Sequence, residues 1–339
     1  MLEARRELVL NLALLLLRAG ALAVALGCAL LAIAAQGGRW SATLDTAAHF
    51  SPLWLVGGLL AALLGALVSR GEERRATLTV AATAVVLSAL QMTPELWARA
   101  TQKTVEDPKG ETLKIVQFNA WGDNADPEGS ARWVIAQDAD IVLVEESYGG
   151  RGRFHKLLRE AYPYRTGCAR TRPCQNLILS KMKPTEQGDF ADRPGERNGR
   201  PFLSVLYAKF GRGDGAFTAM NAHYAWPWPA GYQQEQSAAL AEKLNGFDRD
   251  NLILTGDFNS TPWSFTLQRQ DKAFGLERRT RAMPSWPARF ERTGFQPSFP
   301  ILPIDHVYAG KAWRTVKVER GPRLGSDHRP VVVTLVRTP

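Results

Sequence analysis

The first hundred residues contain three long stretches without a charged side chain, and these limit what the chain can fold into. They cover residues 19–38, 50–69 and 76–94, which is 20, 20 and 19 residues. A helix rises about 1.5 Å per residue, so about 20 apolar residues cross the hydrocarbon core of a bilayer. Such helices also satisfy their own backbone hydrogen bonds in lipid. The pattern predicts a membrane anchor over residues 1–94, with three transmembrane helices at about 12–36, 50–69 and 75–94.

The arginines around these stretches predict their orientation. Two arginines precede the first predicted helix, three lie between the second and third stretches, and the loop between the first and second has one. In that order they are Arg5, Arg6, Arg70, Arg74, Arg75 and Arg39. Because short cytoplasmic loops carry the excess of basic residues, the N-terminus and the second loop are predicted to be cytoplasmic. An odd number of spans then places everything after about residue 95 outside the cytoplasm.

The rest of the chain has the composition of a folded, water-soluble domain. Overall, 45% of the residues are hydrophobic and 22% are charged, which excludes a disordered chain. Three cysteines exclude a disulfide scaffold and a four-thiolate zinc site. Cys168 and Cys174 fit an oxidising compartment if they pair, but two unrelated thiols remain an equal alternative. The net charge is +9, of which residues 101–339 contribute +7 (34 basic and 27 acidic side chains). This excess favours anionic partners, whether nucleic acid, phosphorylated lipid headgroups or the membrane surface.

Residues 95–111 are interpreted as a polar linker, and residues 112–339 as an α/β domain. Short apolar runs predict strands over 113–118, 141–144, 176–179, 202–210, 217–221, 252–254, 306–308 and 331–336. Helical periodicity predicts helices over 127–137, 154–161, 233–245 and 264–270. This mixture indicates α/β layers around stacked sheets.

Polar side chains interrupt the apolar runs at the ends of five predicted strands. In chain order they are Asn119, Glu145 and Glu146, Asp257 and Asn259, Asp305, and Asp327 and His328. Buried carboxylates are costly unless a cation compensates them, and hard oxygen ligands suit Mg²⁺ or Mn²⁺ better than zinc. Each piece has a simpler reading, because Gly256–Asn259 has turn residues and Ser326-Asp327-His328 resembles a cap. Together and in this order they indicate a metal site.

These motifs resemble the endonuclease/exonuclease/phosphatase superfamily, which includes DNase I-like nucleases, inositol-polyphosphate phosphatases and neutral sphingomyelinases. The matching pieces are Gln117-Phe118-Asn119, Asp140 with Glu145-Glu146, residues 176–180, Asn221-Ala222-His223, Gly256-Asp257-Phe258-Asn259, Ile304-Asp305-His306 and residues 326–330. With three preceding spans, the chain resembles the bacterial membrane-anchored members. The resemblance implies a DNase I-like four-layer α/β sandwich, two sheets packed face to face with helices outside.

The resemblance also implies roles for individual residues. Metal binding, to Mg²⁺ with Mn²⁺ as an alternative, is implied for Glu146 and Asn119, with Asp327 as a further candidate. The family often has Gln-Glu where this chain has Glu145-Glu146, and the register assigns the ligand to Glu146. The resemblance implies that His328 is the general base and that Asp305 orients it. Asp257 and Asn259 would place water or bind the phosphoryl group, and His223 would donate a hydrogen bond to the substrate. Asn221 is predicted to bind substrate with Asn259 and His223, by supporting the same network.

The predicted function is therefore a membrane-anchored, divalent-metal-dependent phosphoesterase in the bacterial inner membrane, with its catalytic domain on the periplasmic or extracellular side. Its substrate is a phosphate ester, in nucleic acid or in a lipid headgroup, and the sequence indicates no protein partner. The alternative is a non-catalytic, membrane-anchored domain of the same fold that binds anionic ligands. The segment 226–229, with two tryptophans, has no counterpart in the resemblance, and its rings suit either a base or a membrane interface.

Overall fold

The chain forms two compact units, each described here by itself. A computed structural model describes residues 2–147, 154–168, 175–190, 203–290 and 293–338. The helical unit comprises Met1–Trp97 with Trp263–Phe265, and the α/β unit comprises Ala98–Pro262 with Thr266–Pro339.

The helical unit contains the predicted membrane-spanning segments. Its helices are α1 (Leu2–Gln36), α2 (Ala42–Ala48), α3 (Ser51–Val68) and α4 (Gly71–Ala100). Within the described part of the chain, three helices, α1, α3 and α4, are long and apolar enough to cross a membrane. Each corresponds to one predicted span, although α3 is one residue shorter at each end than the predicted 50–69. Helix α4 continues to Ala100, so the first residues of the predicted linker are helical.

Small side chains bring these helices together. Ala25, Ala61 and Ala81, one from each long helix, form a buried cluster. Small residues let helix backbones approach closely, which is how helices associate in lipid. Arg18 Nε donates to the carbonyl oxygen of Val68 at 2.7 Å, so this charged side chain satisfies a carbonyl at the end of α3.

The α/β unit contains four helices and twelve strands among its described residues. The helices are α5 (Pro127–Ala136), α6 (Phe154–Leu157), α7 (Tyr232–Lys243) and α8 (Phe265–Phe274), the last beginning at a residue of the helical unit. The strands are β1 (Thr112–Asn119), β2 (Ile141–Glu145), β3 (Tyr164–Gly167), β4 (Leu177–Ser180), β5 (Glu186–Asp189), β6 (Ser204–Phe210), β7 (Phe217–His223), β8 (Leu252–Asp257), β9 (Glu277–Arg278), β10 (Asp305–Ala309), β11 (Trp313–Arg320) and β12 (Val331–Arg337).

The strands form two six-stranded sheets, with the orders β11-β12-β1-β2-β4-β3 and β5-β6-β7-β8-β10-β9. Alternate residues of each strand face opposite sides, so one set meets the other sheet and one set meets helices. In β8, Ile253 belongs to the core between the sheets, whereas Leu252 and Leu254 pack with residues of α7 and α8. The outer face of the first sheet packs against α5 and α6. The predicted four-layer sandwich is confirmed.

Some predicted element bounds differ from the structure. The helix predicted over 154–161 ends at Leu157, and the sequence analysis did not predict α2, β3, β5, β9 or β11. Cys168 is disulfide-bonded. Cys174, named with it above, lies outside the described residues, as does Phe202 at the start of a predicted strand.

The register of the strands places the functional candidates side by side. Asn119 pairs with Glu145 across the parallel strands β1 and β2. In the second sheet, His223 pairs with Asp257 across β7 and β8, and Asp257 pairs with Asp305 across β8 and β10. The same edge of each sheet therefore carries polar side chains from adjacent strands.

Candidate metal and catalytic site

Asp305 and His328 form a buried hydrogen-bonded pair. Asp305 begins β10, and His328 lies in the loop before β12, where Ser326 Oγ accepts from its backbone N–H at 3.0 Å. His328 Nδ1 lies 2.7 Å from Asp305 Oδ2, and His328 Nε2 lies 3.6 Å from Asp257 Oδ2. Both side chains are almost fully buried. When Nδ1 donates to Asp305, the opposite ring nitrogen is held toward Asp257 and can exchange a proton.

Asn119 connects the two carboxylates at the centre of the cluster. Its Nδ2 donates to Glu146 Oε1 and to Asp257 Oδ2, both at 2.9 Å. Its Oδ1 accepts from the backbone N–H of Trp121 at 3.0 Å. In this orientation Asn119 holds Glu146 and Asp257 in place as a donor, and its predicted role as a metal ligand remains a proposal.

His223 lies at the more exposed side of the same cluster. Its Nε2 is 3.6 Å from Glu146 Oε1 and 3.7 Å from Asp257 Oδ2, and its side chain is 22% exposed. One ligand atom from each of Glu146, His223 and Asp257 lies within 4.8 Å of the others, and the same holds for Asp257, Asp305 and His328. Asp257 belongs to both groups, so it links the open side of the cluster to the buried pair.

Two residues of the cluster have left-handed backbone conformations. The φ angle is +51° at Glu146 and +47° at Asn259, a region that side chains other than glycine rarely adopt. The backbone N–H of Asn259 donates to Asp257 Oδ1 at 2.9 Å, and its side-chain amide donates to the Tyr224 carbonyl at 2.9 Å. Such strain persists where surrounding contacts determine the conformation, and it is commonest at functional sites.

Burial and mutual repulsion shift the pKa values of these groups. Burial, as the main cause, raises the pKa of Asp257 to about 6. Burial alone would lower the pKa of His328, but the carboxylates of Asp305, Asp257 and Asp327 outweigh it and raise that pKa well above 6.5. Burial would raise the pKa of Asp305, but the charge and hydrogen bond of His328 outweigh it and lower that pKa.

The residues present fit a hard divalent cation. Burial raises the pKa of Asp327, and the charge of Glu146 adds to this effect, so negative charge here is incompletely compensated. Among the described residues, Asp327 Oδ1 is buried without a hydrogen-bond partner. Asp327 Oδ2 accepts from Trp286 Nε1 at 3.2 Å. A donor set of carboxylate oxygens with one imidazole suits Mg²⁺ or Mn²⁺, which would compensate the buried charge.

Asn221, predicted to bind substrate, lies between the sheets. Its Nδ2 donates to the carbonyl oxygens of Val144 and Leu177, at 2.9 and 3.1 Å, and Asn176 Nδ2 donates to its backbone carbonyl. Among the described residues, its Oδ1 is buried without a hydrogen-bond partner, so the side chain makes no hydrogen bond to the carboxylates. The structure thus brings eight predicted site residues together around Asp257 and places Asn221 as a bridge between the sheets.

Gln117 and Glu145 stand in the predicted motifs, but neither was assigned a role in the site. Gln117 Nε2 donates to Glu145 Oε2 and to Asp305 Oδ1, both at 2.8 Å, so it joins the two sheets beneath the cluster. Burial, with the nearby charges of Asp305 and Asp257, raises the pKa of Glu145 well above 4.5. The only available signal was position, because Gln117 is two residues before Asn119 and Glu145 directly precedes Glu146.

Two sheets packed face to face, with carboxylates and histidines gathered at one edge, define the class of protein. The profile of the Endonuclease/Exonuclease/phosphatase family matches residues 116–328. The chain therefore belongs to that family. No curated protein matches the chain.

Solved structures share the fold. An endonuclease/exonuclease/phosphatase family protein from Bacteroides thetaiotaomicron superposes with a TM-score of 0.54 and 19% identity, over 69% of this chain and 100% of its own. Mannosyl-6-phosphatase from B. thetaiotaomicron VPI-5482 gives 0.53 and 20%, over 66% and 99%. TDP2 from D. rerio, complexed with a single-strand DNA product, gives 0.53 and 14%, over 67% and 99%. At these identities the similarity concerns the fold.

Proposed function

We propose that the protein is a membrane-anchored, divalent-metal-dependent phosphoesterase that hydrolyses a phosphodiester or phosphomonoester. One observation carries this proposal. The hydrogen-bonded pair Asp305–His328, with 2.7 Å between its atoms, lies beside the carboxylates of Asp257 and Glu146. A base with an orienting acid next to a cation-binding cluster is the arrangement that metal-assisted hydrolysis needs.

In this proposal Glu146, Asn119 and Asp327 hold Mg²⁺ or Mn²⁺, and Asp257 is close enough to contribute. When bound, the ion would compensate the carboxylates, polarise the phosphate and stabilise the leaving oxygen. Asp305 holds His328 so that its Nε2 accepts a proton from the attacking water, for which the ring must be neutral. His223 donates to a phosphate oxygen from the exposed side, while Asp257 and Asn259 position the water or the phosphoryl group.

The proposed substrate class is a phosphate ester in nucleic acid or in a lipid headgroup. Two of the three structural neighbours differ in what their names record: one is called a mannosyl-6-phosphatase, and the other was solved with a single-strand DNA product. Both names support a phosphate ester as the substrate, but they do not indicate what the phosphate is attached to. The net charge of +9 favours an anionic substrate of either kind.

The test is hydrolysis of bis-p-nitrophenyl phosphate and p-nitrophenyl phosphate by the full chain in detergent, with Mg²⁺, Mn²⁺ or EDTA. We expect turnover that EDTA abolishes. Glu146→Gln and His328→Ala should each lower kcat/KM about 10²-fold or more, because a ligand or a general base is lost. The matched control is Glu186→Gln, an exposed glutamate in β5 whose partner is Lys209.

Thermal melts must show that each variant remains folded. If folded Glu146→Gln and His328→Ala kept wild-type rates, the assigned mechanism would be wrong. A wild-type chain that binds Mn²⁺ and hydrolyses neither compound would instead be the non-catalytic binder of anionic ligands.

We further propose that the chain is a multi-pass protein of a bacterial inner membrane, with the α/β unit on the periplasmic side. Three helices are apolar enough to span a bilayer, which supports the membrane location. The arginines before the first helix and between the second and third support the orientation. The disulfide at Cys168 agrees with an oxidising compartment.

A further inference from the structure

Four aromatic side chains form a continuous row beside the candidate site. The centroids of Trp226 and Trp286 are 5.6 Å apart, those of Trp286 and Phe290 are 6.2 Å apart, and those of Phe290 and Phe295 are 6.2 Å apart. We call Trp226, Trp286, Phe290 and Phe295 the aromatic row. At its two ends, Trp226 is 55% and Phe295 is 62% exposed. Exposed apolar groups in such a cluster mark an interaction surface more often than isolated ones do.

Further apolar side chains extend this surface. Trp228, two residues after Trp226, is 70% exposed, and Phe299 is 76% exposed. Ile301 is also exposed, and its backbone N–H donates to the carbonyl oxygen of Trp286. Trp228 lies in the same loop as Trp226, and Phe299 and Ile301 follow Phe295 in the chain.

The aromatic row is attached to the loop that carries the catalytic candidates. Trp286 Nε1 donates to Asp327 Oδ2 at 3.2 Å, and the backbone N–H of Ala288 donates to the carbonyl oxygen of Asp327 at 2.6 Å. The backbone N–H of Arg329 donates to the carbonyl oxygen of Ser285 at 2.9 Å. A molecule lying on the row is therefore next to the candidate site.

Arginines lie along one side of the aromatic row, at the segment between Phe295 and Phe299. Arg323 Nη2 donates to the carbonyl oxygen of Pro297, and Arg329 Nη2 to that of Ser298, so both support the segment that carries Phe295 and Phe299. Burial is the main cause that lowers the pKa of Arg329, and the charges of Arg320 and Arg323 add to it, so positive charge accumulates around this residue. An apolar centre with a cationic margin complements a bilayer whose headgroups carry negative charge.

We propose that the aromatic row, with Trp228, Phe299 and Ile301, binds the interfacial region of a lipid bilayer and so selects a phosphate ester presented at a lipid surface. Tryptophan and phenylalanine are the side chains that favour this region. The three helices that are long and apolar enough to cross a membrane would keep the chain at a bilayer. The proposal rests on the proposed phosphoesterase function and specifies the substrate class of that site.

The geometry of the rings favours lipid over the bases of a nucleic acid. Two of the three contacts in the row are edge-to-face, with interplanar angles of 86° and 80°. Successive bases stack on the faces of aromatic rings, and perpendicular neighbours offer no run of parallel faces. The aliphatic side chain of Ile301 adds apolar area but no face for stacking.

The first test measures contact with lipid directly. The full chain, with Cys28→Ser to remove the free thiol, carries a fluorophore at Phe295→Cys in nanodiscs of phosphatidylcholine and phosphatidylglycerol. Lipids with brominated acyl chains should quench this fluorophore about twofold or more, because it lies within the interface. The matched control is Asp214→Cys in the turn between β6 and β7, at the end of β7 opposite to His223, where we expect no quenching.

The second test compares two phosphodiesters, bilayer-embedded phosphatidyl-p-nitrophenol and soluble bis-p-nitrophenyl phosphate. In Trp228→Ser and Phe295→Ser the ratio of the first rate to the second should fall about tenfold, because apolar area that binds the bilayer is lost. A single-stranded oligonucleotide is the third substrate. An absence of quenching at residue 295, or variants that lose only the oligonucleotide rate, would overturn the proposal.

The two experiments distinguish failure of the lipid proposal from failure of the proposed phosphoesterase function. A wild-type chain that hydrolyses none of the three substrates refutes the phosphoesterase, and therefore the selection of substrate. The quenching experiment still decides whether the aromatic row contacts lipid, because it requires no turnover.

Discussion

At the scale of single residues, the proton on His328 depends on its partner. In the metal-free protein, three carboxylates outweigh burial and raise the pKa of His328, whereas His328 lowers the pKa of Asp305. On folding, the pKa of Asp305 falls and that of His328 rises. The pair therefore stabilises the fold at pH values between the lowered pKa of Asp305 and the raised pKa of His328. This stability is lost as the pH falls through the pKa of Asp305 or rises through that of His328.

Asp305→Asn should lower the pKa of His328. The substitution removes one of the three carboxylates that raise this pKa, while the burial that lowers it is unchanged. The measurement is an NMR pH titration of the metal-free full chain, labelled at histidine, in EDTA. The control is His155, whose own pKa is lowered chiefly by burial and which should titrate alike in both proteins. An unchanged His328 titration would mean that Asp305 does not control this proton.

Proton binding at Asp257 should compete with metal. Its pKa of about 6 means that the carboxylate takes up a proton as the pH falls below that value, and a metal ligand must be deprotonated. The apparent affinity for Mn²⁺ should therefore be about tenfold weaker at pH 5 than at pH 7. Titration with Mn²⁺ followed by electron paramagnetic resonance measures this, and Asp257→Asn should flatten the dependence. Equal affinity at both pH values would contradict it.

Glu145 and Glu146 are adjacent in the chain, but we expect their substitution by glutamine to have different effects on stability and activity. Burial raises the pKa of Glu145 well above 4.5, so ionisation of this buried group costs stability as the pH rises from the value of an unfolded glutamate. Glu145→Gln removes that cost, so the melting temperature at pH 8 should rise and activity should change less than about threefold. Thermal melts and kcat/KM test this against Glu146→Gln. A large loss of activity in Glu145→Gln would reassign the ligand.

At the scale of secondary structure elements, one glycine allows β7 and β8 to pair beside the site. Gly256 has φ +157°, and a Cβ there would lie 1.9 Å from the carbonyl oxygen of Ala222, its partner in the register. The oxygen belongs to the backbone of β7 and the Cβ is bonded directly to the backbone of β8, so relieving the clash would displace the neighbouring His223 or Asp257. The Gly-Asp-Phe-Asn motif therefore requires glycine for close approach as well as for turning.

Gly256→Ala should lower the free energy of unfolding by about 3 kcal/mol or more, since it forces two paired strands apart. Chemical denaturation measures this loss. The control is Gly246→Ala, where a Cβ meets nothing within 4 Å and the change should stay within about 0.5 kcal/mol. A Gly256→Ala variant as stable as the wild type would show that the strands separate easily.

The strands that carry the site could be predicted because burial on both faces makes them continuous apolar runs that end in polar residues. Edge strands lacked this signal. Strand β5 (Glu186–Asp189) has no buried residue, and β11 alternates with charged side chains, so pairing with β6 and β12 defines them. The bridging roles of Gln117 and Asn221 depend on how one sheet faces the other, which local sequence does not specify.

At the scale of the whole molecule, the proposed orientation has a direct test. Alkaline phosphatase fused after Pro339 should be active in a bacterial host, because it folds with disulfides only outside the cytoplasm. The same reporter fused after Arg70, between α3 and α4, should be inactive because that loop is predicted to be cytoplasmic. Immunoblots must show equal expression. The reverse pattern of activities would invert the proposed topology.

The candidate site takes residues from both sheets, since Gln117 of the first donates to Asp305 of the second and Asn119 donates to Asp257. Either sheet could regain its far-ultraviolet circular dichroism during refolding while the other is still detached. Catalysis requires both, so turnover should recover only when the sheets dock. If the proposed function holds, the enzymatic rate reports the final packing step of folding, because partly folded species contribute no turnover.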